Sequence, residues 1–155
     1  MSIRLIEKKD YSSYAELIDS KISKDLFESF LDNVLDKKHF IFVIEKDSRY
    51  TISSKKTDVY AYKTVIGTGT LLIEPKLTHG GVVMGHIENI LIHRDFRGQG
   101  LGEKLTNYIT DFSEKMGCYR TDLVCTNNLL KFYQKIGYTK LQNVMTKNFP
   151  NNYNK

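Results

Sequence analysis

Residues 94–105 read RDFRGQGLGEKL, with glycines at 98, 100 and 102 behind Arg97. Glycines are costly at a helix start, because glycine gives up the most backbone freedom on ordering. Anion binding is the chemistry that would offset this. Free N–H groups at a helix start, added to the helix dipole, hold phosphate, and absent side chains let it come close. Two common phosphate loops do not fit. The dinucleotide fingerprint G-x-G-x-x-G has a different glycine spacing, and the P-loop sets its lysine directly after the last glycine, followed by Ser or Thr. Here Lys104 lies two residues past Gly102 and Leu105 follows it. Just upstream, GHIEN at 85–89 puts His86, Glu88 and Ile90 on one face of a strand, and Ile87, Asn89 and Leu91 on the other. The pair His86 and Glu88, with His79, could converge on a metal; the sequence offers no evident fourth ligand.

These residues need elements to position them. VVMGHIENILIH, 82–93, is apolar on both sides and reads as a central strand. Behind the glycine loop, Leu101, Leu105, Tyr108, Ile109 and Phe112 share one helix face, and Gly117 stands at the C-terminal cap. YRTDLVC, 119–125, reads as a buried strand. TNNLLKFYQKIGY, 126–138, reads as a short helix, capped by Thr126 or Asn127, packed through Leu129, Leu130, Phe132, Tyr133 and Ile136, and stopped by Gly137. A last strand is expected over about 138–149.

In the N-terminal half, residues 3–6 suit a short edge strand. Apolar positions from Tyr11 to Val34 recur at helical spacing, broken near Ser20–Ser23, so two helices are expected, the second capped by Ser23. HFIFVIEK, 39–46, is a strand, and 47–58 reads as a polar surface excursion. The β-branched and aromatic run 59–76 makes one or two strands, bent or bulged at Gly67 and Gly69. The order β-α-α-β-β-β-α-β-α-β gives an α/β protein, with a single domain expected over 1–155.

Composition narrows the function classes. With 155 residues, 41% hydrophobic and 26% charged, ten Tyr and eight Phe, the chain has the makings of an ordinary packed core. No apolar run approaches the roughly 20 residues of a spanning helix. MSIRLIEKKDY carries no leader-like stretch, so a cytoplasmic location is expected. The net charge of +5 favours anionic partners but is spread along the chain, with no basic arm or stripe to suggest nucleic acid. Cys118 and Cys125 sit among apolar residues and read as free buried thiols.

Arg97-Gly98-Gln99-Gly100-Leu101-Gly102 matches R/Q-x-x-G-x-G/A, the acetyl-CoA pyrophosphate loop, and so resembles the GNAT acetyltransferases. KFYQKIGY, 131–138, is similar to that superfamily's F-Y-x-K-x-G-F segment. Over about 73–138, with GHIEN, the RGQGLG loop and GCYR at 117–120, the chain looks like the glucosamine-6-phosphate N-acetyltransferases. The resemblance implies the GNAT fold, a mixed sheet with a splayed central strand flanked by helices. It implies acetyl transfer from acetyl-CoA, without a metal, to glucosamine 6-phosphate in a ternary complex, feeding UDP-N-acetylglucosamine biosynthesis, and it implies a homodimer.

By the same resemblance, Glu88 takes the amine proton with Asn89 beside it, Ile90, Leu91 and Ile92 pair with the pantetheine arm, and Tyr133 supports the leaving thiolate. Leu91 is the amide expected to meet the thioester oxygen. Lys76, His79 and Arg120 are candidates for the sugar phosphate, with Glu88 and Asn89 toward the amine. Three positions depart from the family pattern. Asn89 stands where an acid is usual, Val124 where an acid often precedes the tyrosine helix, with Asp122 on the same side if the register holds, and Leu129 where an asparagine is common, with Asn127 and Asn128 shifted. Transfer to another amine, or CoA binding without turnover, remains open on sequence alone.

Overall fold

The computed structural model describes residues 1–35, 38–51, 59–141 and 143–147, and their side chains except at 48–51, 59–62 and 79. The chain gathers into two compact units, 1–123 and 124–155.

In the first unit, five strands lie in sequence order: β1 (Ser2–Leu5), β2 (His39–Thr51), β3 (Val59–Pro75), β4 (Val83–Ile92) and β5 (Cys118–Leu123). The first four pair antiparallel, and β5 joins β4 in parallel after a helical crossover. Alternation along β2 shows why helices cover both faces. Phe42 and Ile44 point into one core, with Ile66, Leu71, Ile87 and the Leu101, Leu105 and Ile109 stripe of α3 (Leu101–Lys115). Ile41 and Val43 point into the other, with Leu17 of α1 (Tyr11–Leu17) and Phe27 of α2 (Lys24–Asn33). A strand apolar on both sides is stable only when both sides are covered. Ser23 caps α2 as expected: its hydroxyl accepts from the Leu26 N–H at 3.1 Å.

An ion network ties the first strand down. Arg4 on β1 donates to Asp10 at 2.7 Å and to Glu45 on β2 at 2.6 Å, and Lys63 on β3 reaches the other Glu45 oxygen at 2.8 Å. Arg4 and then Lys63 hold the nearly buried Glu45 carboxyl down at about 2.

Several expectations need correction. Residues 47–51 continue β2 rather than leaving the sheet, and pair with β3 out to Thr51 and Val59. Opposite charges directly across the ladder, Asp47 and Lys63, support a polar extension of this kind. The rest of the expected excursion, 52–58, lies outside the described residues. β5 is half-buried rather than buried.

In the second unit, a 3-10 turn at Asn127–Leu129 leads into α4 (Leu130–Lys135). Thr126 holds the N-cap position without capping the backbone; its hydroxyl meets the Asn128 side chain instead. Leu129 is exposed rather than packed. The expected last strand is absent among the described residues of 138–147. Leu141, Val144 and Met145 are exposed there, and their spacing lacks the period of two that would give a strand one apolar face.

Candidate functional site

The site begins with a bulge. β3 and β4 pair Thr70 with Glu88 but Thr68 with Leu91, so β4 holds one extra residue opposite Gly69. Asn89 takes the left-handed conformation, φ 55°, which asparagine tolerates better than most residues. Gly69 makes the bulge possible: a Cβ there would stand 2.5 Å from Ile90 Cδ1 and 2.7 Å from Ile109 Cδ1. Regular alternation would send Glu88 and Asn89 to opposite faces. With the bulge, both line one cavity of about 330 Å³, floored by His39, Ile41, Thr70 and Leu72 and walled by apolar side chains of α1, α2 and the segment joining them.

β5 ends at Leu123, where its pairing with β4 also ends. Their pairing runs from Val83 with Cys118 to Ile87 with Leu123, and Glu88–Ile92 have no β5 partner among the described residues. The resemblance implied a splayed strand at this point. Which amides face the opening follows from one bond. The His93 N–H donates to the Ile66 carbonyl across β3, at 2.8 Å. Alternation then turns the Leu91 amide to β3 as well, opposite Thr68, and leaves those of Ile90 and Ile92 on the open side.

On the same face, nearer the start of β4, lies a polar strip. His86 Nε2 meets Glu74 Oε2 at 2.7 Å, and Lys76 pairs with the other Glu74 oxygen. Lys76 first, then His86, hold the Glu74 carboxyl below the ordinary carboxylate range. Asp122 stands opposite His86 in the β4–β5 register and takes a hydrogen bond from Arg120 at 3.1 Å. Two of the sequence-derived phosphate candidates, Lys76 and Arg120, thus fall in this strip, each beside a carboxylate. His79 sits in the 3-10 turn Thr78–Gly80, and its side chain is outside the described set. Glu74 was not singled out in the sequence, and only strand pairing reveals it; its sole sequence signal is a period-two relation to Lys76. Asp122 is the acid expected on the side of Val124, and the register sets it opposite His86.

The glycine loop follows β4. Gly98 and Gly100 both have φ 74°, and Gly100 is the N-cap of α3, with no side-chain cap bond. A Cβ built at either would meet nothing within 4 Å, so both glycines border open space at a helix start. The first helical N–H groups have no acceptor within their own helix. Arg97 is anchored from behind, donating through Nε to the Ile92 carbonyl at 3.0 Å, and Gln99 donates to the Asp95 carbonyl at 3.4 Å. Leu101 is buried under the helix, while Gly102 accepts the Thr106 hydroxyl through its carbonyl. The geometry fits a pyrophosphate with no side chain in its way.

The acetyltransferase (GNAT) family model matches residues 9–138. The chain belongs to this family. Relatives narrow the comparison. A glucosamine 6-phosphate N-acetyltransferase of Trypanosoma brucei brucei is 28% identical over 139 residues, 89% of this chain and 88% of that one. The Arabidopsis thaliana enzyme of the same name is 32% identical over 111 residues, 72% of this chain and 66% of that one. A crystal structure of glucosamine-6-phosphate N-acetyltransferase from Arabidopsis thaliana matches with a TM-score of 0.80 at 26% identity, covering 96% of this chain and 97% of that one.

GNAT acetyltransferases use acetyl-CoA. Tyr133, the tyrosine of KFYQKIGY, lies on α4 within the second unit. Its ring packs against Phe132 at 4.9 Å and Tyr138 at 6.0 Å between centroids, and it is 8% exposed. Burial, with Cys125 and Tyr138 adding to it, pushes the Tyr133 phenol up from its usual value, so it holds its proton at neutral pH. No helix among the described residues is long and apolar enough to cross a membrane.

Proposed function

We propose that this chain transfers an acetyl group from acetyl-CoA to the amine of glucosamine 6-phosphate, giving N-acetylglucosamine 6-phosphate by direct attack in a ternary complex. The observation that carries this reading is the bulge at Asn89. It turns a carboxylate and an amide into one cavity on a strand whose next amides are open, immediately before a phosphate-fitting glycine loop.

Arg97, Gly98, Gln99, Gly100, Leu101 and Gly102 hold the donor's pyrophosphate, chiefly through backbone N–H groups at the start of α3. The bound thioester supplies the acyl carbon that the amine attacks. Glu88 accepts the amine proton, directly or through one water. Asn89 orients the amine or a neighbouring hydroxyl but cannot take a proton. Ile90 and Ile92 offer the amides that pair with the pantetheine arm and meet the developing oxyanion; Leu91, whose amide is engaged on β3, packs rather than donates. Tyr133 gives the leaving thiolate its proton or a hydrogen bond. Lys76, His79 and Arg120 receive the sugar phosphate, Lys76 and Arg120 turning from their carboxylates to do so. The working form is a homodimer, as the resemblance implies.

The test is CoA release with a panel of amines. It rises with glucosamine 6-phosphate and not with glucosamine or a lysine peptide. Glu88→Gln lowers kcat by about 10²-fold; near-normal turnover in that variant would remove Glu88 as the base.

A further inference from the structure

The cavity beside Glu88 and Asn89 does not suit a sugar phosphate. Its walls are Ile18, Ile22, Leu26, Phe27, Phe30 and Leu31, facing Ile41 and Leu72 on the sheet. No Lys or Arg is among the described residues that line it. A phosphate dianion placed there would be stripped of water with no Lys or Arg to pair it, and Tyr14, His39 and Thr70 are the polar side chains that line the cavity besides Glu88 and Asn89. The cations available to the phosphate, Lys76 and Arg120, stand outside, in the strip that runs from His86 to Asp122. Glu88 and Asn89 sit at the boundary: polar strip on one side, apolar cavity on the other. The transferred acyl carbon must lie at that boundary, because the amine meets it there. At about 330 Å³, the cavity is roughly ten times the ~30 Å³ share of one liquid water, far more than an acetyl methyl fills.

We infer that this cavity is an acyl-chain pocket and that the protein also transfers acyl groups longer than acetyl, up to about four carbons, from their CoA thioesters. The inference rests on the acyl-CoA reading above but not on the identity of the acceptor. In the transfer step the amine nitrogen bonds to the acyl carbonyl carbon and the carbon–sulfur bond breaks. The nitrogen loses a proton to Glu88, CoA leaves as the thiol, and the chain R of R–CO–S–CoA stays against Ile18, Leu31 and Leu72 throughout. Each methylene taken from water into such walls adds roughly fourfold in affinity.

The test is equilibrium binding of acetyl-, propionyl-, butyryl- and hexanoyl-CoA to the whole chain, followed by turnover of each with glucosamine 6-phosphate. Butyryl-CoA is expected to bind at least about tenfold tighter than acetyl-CoA, from two methylenes at roughly fourfold each. In Leu31→Phe, and separately in Ile18→Phe, that preference collapses while acetyl-CoA binds as before; two variants guard against one that folds poorly. Affinity that is flat or falls with chain length overturns the inference, and so does a preference that both variants leave intact. Flat chain-length binding together with tight binding of apolar amines would assign the cavity to the acceptor, again overturning it. If binding rises with length but no thioester gives product with glucosamine 6-phosphate, the acceptor reading fails and the acyl pocket stands.

Discussion

Gly100→Ala separates the binding role of the glycine loop from its structural role. Gly100 has φ 74° and ψ 3°, and a Cβ there touches nothing within 4 Å. The free protein therefore bears only the left-handed backbone penalty, about 1 kcal/mol. For a chain of this size that lowers the melting temperature by about 2–4 °C. The bound state bears more. The new methyl occupies the space where phosphate must approach the N–H groups at the start of α3. Two charge-assisted hydrogen bonds lost, at about 1.5 kcal/mol each, come to about 3 kcal/mol, or roughly 10²-fold in acetyl-CoA affinity. Gly117→Ala is the matched control at the other end of the same helix. Gly117 has φ 85° and nothing within 4 Å of a Cβ, so the strain is alike and no phosphate is at stake. Calorimetry for CoA binding and thermal melts on both variants give the answer. Equal melting losses with a CoA defect confined to Gly100→Ala support the cradle. Unchanged CoA affinity in Gly100→Ala, or an equal defect in Gly117→Ala, refutes it.

Other outcomes follow from the same structure. Glu45 titrates at about 2 in the fold against an ordinary 4.5, so its ion pairs stabilise above pH 4.5 and are lost as pH falls from 4.5 towards 2. At about 1.4 kcal/mol per unit the contribution is at most about 3.5 kcal/mol; Glu45→Gln should lose it at pH 7 and melt with a flatter acid limb, and an acid limb identical to wild type would remove Glu45 as its source. Gly69→Ala pushes on Ile90 and Ile109, whose side-chain ends can shift, at a cost of about 1–3 kcal/mol. Its kcat should fall further than its stability, because Ile90 adjoins Asn89 in the bulge, and Ile90→Val should restore part of both; a stability loss with unchanged kcat would show that the bulge does not set the site. Tyr133→Phe should cut kcat by about 10²-fold with the melting temperature nearly kept, whereas unchanged kcat makes Tyr133 a packing residue.

What the sequence disclosed was local, and what it hid was paired. The glycine loop is read from six adjacent residues, and its helix from a repeat of apolar side chains, so both were legible. The surroundings of His86 were less so. Glu74, its hydrogen-bond partner, is twelve residues away, and Asp122, opposite it in the β4–β5 register, is thirty-six; only strand register sets either beside it. The apolar cavity needed the placement of α1 and α2 over β2 and β3, which no spacing encodes. The extension of β2 escaped because DSRYT lacks the apolar alternation that marks a half-buried strand.

Asn89 joins the two kinds of information. As a sequence feature it was a loss, an amide where the family usually has an acid. In the structure it holds a left-handed backbone at the inserted residue of β4, a conformation that most other side chains resist. That conformation brings Glu88 and Asn89 to the same cavity and frees the Ile90 and Ile92 amides. At this position the backbone shape contributes to the site independently of what the side chain can protonate. An acid at 89 would add a charge next to Glu88, and the arrangement that makes Glu88 usable would still depend on the bulge.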